Sequence, residues 1–368
     1  MATEVRTKRI DADTHFNLSV DYKELKGLLP RARSRELEDI MWRDAWRIAD
    51  SEGVQAELTG APAAAGRESD PEWDPESRIV EMDRLGFDMQ VLNTQRAMPA
   101  PLHAVVAKPL WLRTALAQLY NNAAATLQER YADRFICQAT FPWDDIEASV
   151  KEVERASALG FRAVSICGSW MDQNLDAYEL YPFWEAVSGC DMACIVHNFT
   201  QGHRGSMTEH ITPYPMVGTE RYHRLHIGTY VGFGLDYAVA CCALTLGGVL
   251  EEFPNLRFLF FEAGASWMAH AMHGADRSFY IERACSRSDA LPSELIKRHC
   301  MTAIESLEPV EQLVAAYGAD NYVIGTDFPH PEFQRLPNAP SDITGKQGLS
   351  VEDQNKILGG NLARALKL

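Results

Sequence analysis

The sequence predicts a (β/α)8 barrel formed as a single domain over residues 1–368. Three observations carry that expectation. Eight short β-rich runs alternate with helix-prone stretches along the chain, the pattern of a parallel sheet wrapped by helices. Most of those runs are continuously apolar rather than alternating, as strands buried on both faces require. The length admits one elaborated barrel as readily as two smaller domains, and no internal repeat or low-complexity array competes with the strand–helix rhythm.

In chain order the predicted strands are Lys8–Asp13, Met89–Asn93, Phe135–Phe141, Ala163–Cys167, Ala193–His197, Leu256–Glu262, Cys300–Ile304 and Tyr322–Thr326. The predicted helices between them are Pro75–Gly86, Val105–Arg134, Asp144–Gly160, Asp176–Cys190, Leu235–Phe253, Ser266–Arg283 and Glu308–Gly318. Asp144 and Asp145 open one helix and Gly160 closes it, while Gly86 and Gly318 each stand just past a last turn. Two insertions interrupt the rhythm, at about 16–74 and 198–234. The first holds a predicted helix over Ser34–Ser51 and a run of small residues from Gly60 to Gly66; the second is rich in Gly, His, Tyr and Pro. Both follow strands, so both belong over the catalytic face of a barrel as lids or interface arms.

Composition narrows the partners. Hydrophobic residues make up 46% and charged residues 23%, as in a globular protein with a large core. Lys and Arg number 35 against 51 Asp and Glu, a formal net charge of -16. Such a surface repels phosphate backbones and anionic membranes, so neither is an expected partner. The eight cysteines form no C-x-x-C pair. No run reaches 18 apolar residues and the N-terminus has no apolar targeting core, which points to a reduced cytoplasm.

In a barrel, polar residues at the C-terminal strand ends converge on one spot. Those ends supply Asp11, Asp13 and His15 from the first strand, His197 from the fifth, Glu262 from the sixth and Asp327 from the eighth. Asp13 and His15, two apart, leave the same face of an extended strand and offer a two-ligand bite for a cation. Taken singly, each has an ordinary explanation: His197 as a hydrogen-bonded core residue, Asp327 as a cap before Pro329. Together, Asp13, His15, His197 and Asp327 supply two oxygen and two imidazole donors, enough for a four-coordinate or open five-coordinate site.

The motif Asp11-Ala12-Asp13-Thr14-His15, the strand-end His197 and the late Gly325-Thr326-Asp327-Phe328-Pro329-His330-Pro331 together resemble the amidohydrolase-2 family. That family is typified by aminocarboxymuconate-semialdehyde decarboxylase and includes hydroxybenzoate-type decarboxylases. The resemblance runs in order along nearly the whole chain. It implies a metal-dependent barrel in which Asp13, His15, His197 and Asp327 bind one divalent ion, Zn or Mn, and it implies a homodimer or higher homo-oligomer. Two departures stand out. Many members carry H-x-H on the first strand, and some decarboxylases a carboxylate, usually glutamate; this chain has Asp13-Thr14-His15. Many carry a histidine after the sixth strand, where this chain has Glu262.

Two carboxylates and two neutral imidazoles cancel a 2+ charge. A neutral site depresses the pKa of bound water less than a cationic one, which favours direct binding of substrate oxygens over metal-hydroxide attack. The fourth strand end, Val164–Gly168, has no lysine to bridge two metals, so one is expected. The lead expectation is non-oxidative decarboxylation of an aromatic or conjugated carboxylate. Asp327 would deliver a proton to the vacated carbon, and Glu262 would orient Asp327 or relay that proton. The rivals are a hydrolase, with Asp327 as base and Glu262 as shuttle, and a barrel kept as a binding scaffold.

Several other residues are candidates for substrate contact. Arg96 suits a bidentate grip on a carboxylate or an ordinary salt bridge. His203 and Arg204 head a group with His210, His223 and His226 that faces either the pocket or an oligomer interface. Trp170, Trp267 and Phe328 suit an aromatic wall or plain packing. His270 and His273 lie on a helix face that looks into the cavity or into solvent. No dinucleotide, Walker, G-x-S-x-G or H-E-x-x-H motif occurs.

Overall fold

Among the described residues, eight parallel strands follow one another around the molecule in sequence order. The coordinates are a computed structural model and describe residues 7–18, 22–33, 35–36, 69–94, 109–170, 173–197, 231–306, 308–330 and 339–368. The strands are β1 (Ile10–His15), β2 (Met89–Asn93), β3 (Phe135–Cys137), β4 (Ala163–Ile166), β5 (Ala193–Val196), β6 (Phe258–Phe260), β7 (Cys300–Ile304) and β8 (Tyr322–Ile324). β1 to β3 form one continuous ladder and β4 to β8 another. A bridge between Ala139 and Val164 joins them, and a bridge between Thr14 and Phe328 closes the ring. Backbone bonds Asp327 N–H to the Asp13 carbonyl (2.9 Å) and His15 N–H to the Phe328 carbonyl (2.7 Å) seal that closure.

The helices are α1 (Tyr22–Leu28), α2 (Pro75–Leu85), α3 (Leu110–Arg130), α4 (Ile146–Ala158), α5 (Tyr181–Gly189), α6 (Phe233–Leu246), α7 (Val249–Glu252), α8 (Ser266–Ile281), α9 (Pro292–His299), α10 (Val310–Tyr317), α11 (Ala339–Thr344), α12 (Val351–Asn355) and α13 (Asn361–Leu366). Their ends are chemically marked. Asp74 accepts from Ser77 N–H at 2.8 Å ahead of α2, and Gly86 closes α2 in the left-handed region. Asp145 does the same for α4 through Ala148 N–H at 2.8 Å. The single helix expected over Leu235–Phe253 is two, because Gly248 at φ 83° turns the chain between α6 and α7. α9 and the short helices α11 to α13 were not foreseen. The predicted Ser34–Ser51 helix lies outside the described residues apart from 35–36, and so does the second insertion apart from 231–234.

Period-two alternation divides the strand side chains between two cores. Ile10, Ala12, Met89, Val91, Ile136, Ala163, Ala193, Ile195, Leu259, Phe261, Ala303 and Val323 point inward and fill the barrel. Leu362, Ala365 and Leu366 of α13 join that inner cluster and close the N-terminal end of the barrel. Asn361 pins the helix there, donating to the Ala319 carbonyl at 2.7 Å and the Tyr322 carbonyl at 2.8 Å. The opposite strand residues, among them Leu92, Cys137, Val164, Cys194, Val196 and Phe260, pack outward against the helices. With its base plugged, the barrel leaves its C-terminal mouth as the place for chemistry.

Candidate metal centre at the barrel mouth

The site begins with an irregularity in β1. Asp11 pairs with Gln90 and Thr14 with Leu92, so three steps on β1 match two on β2. A β-bulge of this kind re-aims the residues beyond it. Ile10 and Ala12 face the inner core, and the extra residue lets Asp13 and His15 turn inward as well. Asp11 is left on the outer side, although it shares their two-residue spacing. There it accepts from Thr326 N–H (3.0 Å), Thr326 Oγ1 (2.7 Å) and Gln90 Nε2 (3.3 Å). Burial raises its pKa to about 7, against the lowering effect of those bonds. Asp11 is therefore a staple between β1 and the segment that carries Asp327. Gly325 makes that approach feasible, since a Cβ there would lie 3.0 Å from Asp13 Cβ and 3.1 Å from Ala303 Cβ.

The two acidic residues supplied by β6 and β8 share a backbone feature. Glu262 has φ 60° and Asp327 φ 57°. Left-handed conformation in a residue with a side chain costs about 1–2 kcal/mol, and such residues gather at functional sites. Each stands just past its strand, where the chain leaves the sheet.

The donors converge from there. His197 Nε2 lies 3.7 Å from Asp13 Oδ1 and 3.2 Å from Glu262 Oε2. His15 Nε2 lies 2.9 Å from Asp327 Oδ1, and the His15 and His197 rings meet edge to face at 5.2 Å. Ligand atoms of Asp13, His15 and His197 all fall within 4.8 Å of one another, as do those of His15, Asp327 and His330. The four residues expected from sequence are thus brought together.

Electrostatics give the cluster a direction. Burial pushes the Asp13 carboxyl well up, and the negative charges of Asp327 and Asp11 push it further. Burial lowers the His15 pKa, against the pull of Asp327. For Asp327 burial acts upward, but the bonds from His15 and His330 outweigh it and hold the carboxyl below its ordinary range. Asp13 Oδ1 is buried with no hydrogen-bond partner among the described residues. The carboxylates and imidazoles of this donor cluster include no Lys or Arg, and a divalent cation would reverse the pressure on Asp13. The mixed carboxylate and imidazole set suits Zn or Mn. The residues fit the ion that the sequence implies.

Some expectations are relocated. Asp327 was expected to lean on Glu262, yet Glu262 stands against His197, and the side chain that joins His15 on Asp327 is His330, with Nδ1 2.9 Å from Oδ2. The His330 ring also stacks on His15 at 4.0 Å. Trp267 does not form a wall of the mouth. As the second residue of α8 it faces the outer surface of the sheet, with Nε1 donating to the Gly264 carbonyl (3.0 Å) and its ring against Phe260 and Tyr237. Phe328 is buried beneath the Arg78 guanidinium, 4.3 Å from its ring centre. Trp170 is half-buried and donates to the Trp143 carbonyl at 2.7 Å. His270 and His273 are exposed on α8, where His273 meets Tyr317 Oη at 3.2 Å. Arg96, His203, Arg204, His210, His223 and His226 lie outside the described residues.

Two contributors were missed. His330 sat inside the late motif without an assigned role, and its place three residues after Asp327 was the available signal. Arg78 had no signal at all, because a lone arginine on a helix reads as a solvated one.

The chain matches the family described as amidohydrolase, Amidohydro_2, over residues 10–368. It belongs to that family. It is similar to 2-amino-3-carboxymuconate-6-semialdehyde decarboxylase of Dictyostelium discoideum, 28% identical over 302 residues that cover 80% of this chain and 77% of that protein. Among solved structures it resembles 5-carboxyvanillate decarboxylase from Sphingomonas paucimobilis, with TM-score 0.68, 19% identity, and coverage of 98% of this chain and 99% of that one. It also resembles 5-carboxyvanillate decarboxylase from Novosphingobium aromaticivorans, solved with manganese and 4-hydroxy-3-methoxy-5-nitrobenzoic acid, with TM-score 0.67, 20% identity, and coverage of 100% of both chains. At these identities the structural likeness speaks to the barrel itself, and it agrees with the closed ring of eight parallel strands.

Proposed function

We propose that this amidohydrolase-family barrel is a metal-dependent, non-oxidative decarboxylase of an aromatic or conjugated carboxylic acid. The observation that carries this reading is the buried convergence of Asp13, His15, His197 and Asp327 at the mouth. Its relatives named above are decarboxylases, and one was solved with manganese. When bound, a divalent cation supplies Lewis-acid charge for the oxygens of a carboxylate-bearing substrate.

The protein's own groups account for the rest. Asp327, itself one of the four converging donors, is hydrogen-bonded by half-exposed His330, so a proton from solvent has a two-residue route inward. As the bond from ring carbon to carboxylate breaks, its electron pair stays on the carbon; Asp327 delivers the proton that replaces CO2. Glu262 Oε2 lies 3.2 Å from His197 Nε2, the nitrogen that faces Asp13, and so stands at the edge of the same donor cluster. The substrate is a small carboxylate. We infer further a homodimer or higher homo-oligomer working in the cytoplasm. All eight cysteines are free thiols, as a reducing compartment requires, and no helix among the described residues is long and apolar enough to cross a membrane.

Elemental analysis of protein purified without chelator should find near one equivalent of Zn or Mn, and little in His197→Ala. Incubation of the metal-loaded enzyme with hydroxylated benzoates in D2O should release CO2 and leave deuterium at the vacated carbon. Oxygen-18 from water in a new carboxylate would instead mean hydrolysis. Asp327→Asn should keep part of the metal while kcat falls by about 10²-fold or more; wild-type turnover in that variant would remove Asp327 from the proton path.

A further inference from the structure

Two buried carboxamides at the mouth have no hydrogen-bond partner among the described residues. Asn93 ends β2 and Gln138 follows β3 directly. Met89 and Val91 face the inner core, as does Ile136, so the two-residue period carries Asn93 and Gln138 to the inner side. Asn93 pairs in register with His15, and Leu92 with Cys137. Asn93 thus stands beside a metal-site histidine, and Gln138 one strand further round. Asn93 is 1% exposed and Gln138 4%. Neither polar atom of either amide has a hydrogen-bond partner among the described residues, and neither does the buried Thr140 Oγ1, two positions beyond Gln138.

Other buried amides of this protein behave differently. Gln90 bonds Arg78 and Asp11. Asn121 bonds both backbone groups of Thr140 and the Glu152 carboxylate. Native proteins leave few buried polar groups unpaired, because each has lost its water without replacement. Two such amides side by side at the mouth of a functional barrel mark a site completed by something else.

The chemistry of an amide narrows that partner. Each carboxamide presents a donor and an acceptor and carries no charge. A carboxylate accepts only, so it would set its oxygens against Oδ1 and Oε1. A hydroxyl both donates and accepts, and satisfies an amide pair. We propose that Asn93 and Gln138 form a subsite for an uncharged hydroxyl on the substrate ring, on the His15 side of the site. This deepens the decarboxylase reading and rests on it.

Calorimetry on the Mn2+-loaded enzyme tests the subsite with 2-hydroxybenzoate and its four dihydroxy derivatives bearing a second hydroxyl at ring positions 3 to 6. At least one dihydroxy acid should bind about tenfold tighter than 2-hydroxybenzoate, the discrimination expected when a hydroxyl fills an otherwise unpaired polar site. Asn93→Leu and Gln138→Met should each erase that advantage and leave 2-hydroxybenzoate affinity unchanged. Both variants should melt no lower than the wild type, since they delete amides that the fold leaves unpaired. Lack of any advantage in the wild type, or its survival in both variants, would overturn the subsite. So would a fall in Tm beyond about 5 °C, which would show that the amides serve the fold. A hydroxyl advantage without CO2 release from any acid would sink the decarboxylase reading alone and leave the subsite standing.

Discussion

Arg78 is a single residue outside the candidate ligand set that braces the segments carrying it. Its guanidinium is fully buried; Nε donates to the Pro71 carbonyl at 2.7 Å and Nη1 to Gln90 Oε1 at 3.2 Å. Nη2 donates to the carbonyl of His15 itself. The planar group lies 4.3 Å from the ring centre of Phe328, next to Asp327, and 5.5 Å from that of Phe16, next to His15. Burial brings its pKa down to about 9, so it remains a cation at neutral pH, with Asp11 the largest electrostatic pull the other way. One side chain thereby clamps the two turns that carry ligands at the barrel seam. Arg78→Met should cost about 1–3 kcal/mol of stability, because it leaves buried acceptors, Gln90 Oε1 and the Pro71 and His15 carbonyls, without their donor. It should also weaken metal binding at least tenfold, read by chelator competition on folded protein. Arg78→Lys keeps the charge but not the fork, and should recover stability more than metal affinity. Normal metal affinity in Arg78→Met would show that the ligands need no clamp. At this scale the sequence disclosed the candidate ligands and concealed their supports: Asp13, His15, His197 and Asp327 sit at or just past strand ends, while Arg78 and His330 acquire meaning only from what they touch.

Secondary structure was legible in proportion to its chemical marking. Met89–Asn93 and Cys300–Ile304 are strands over the residues expected, because continuous apolar runs bounded by polar segments have few alternatives in a parallel sheet. α4 begins where Asp145 caps it. Removing that cap with Asp145→Ala should destabilise the protein by about 1 kcal/mol, measured by urea denaturation, with metal content unchanged; a neutral result would mean that the α4 terminus is held by packing alone. Less marked elements escaped. α9 and α11 to α13 are only 5–8 residues long, too short for helical periodicity to accumulate. The β1 bulge was also invisible, because period-two spacing puts Asp11, Asp13 and His15 on one face, and only pairing with β2 reveals the extra residue.

The whole molecule is held by contacts between the ends of the chain and its middle. Asp191, between α5 and β5, accepts from Arg257 Nη1 at 2.8 Å and from Lys367 beyond α13. The Lys367 bond is the largest influence lowering its pKa, with help from Arg257. A carboxylate depressed in the folded state stabilises it above the ordinary carboxylate range; that contribution disappears as pH falls through the folded value. Stability measured by urea should therefore decline below about pH 4, and Asp191→Asn should flatten part of that decline. Asn tolerates the left-handed φ of 55° at this position, so the substitution isolates the charge. An unaltered pH profile would assign the acid sensitivity elsewhere.

Local sequence chemistry by itself determined that this chain alternates buried strands with helices and that it forms a barrel, and it placed four candidate metal ligands at strand ends. Each of these follows from neighbours in the chain, through apolar runs, caps and the position of polar residues after strands. Tertiary structure alone decided which way Asp11 turns, that Trp267 and Phe328 pack outward while His330 reaches Asp327, and that Asn93 and Gln138 have no partners among the described residues. The physical reason is closure. Joining β8 to β1 fixes which distant groups meet, and a side chain's hydrogen bonds, charge and burial are properties of that meeting.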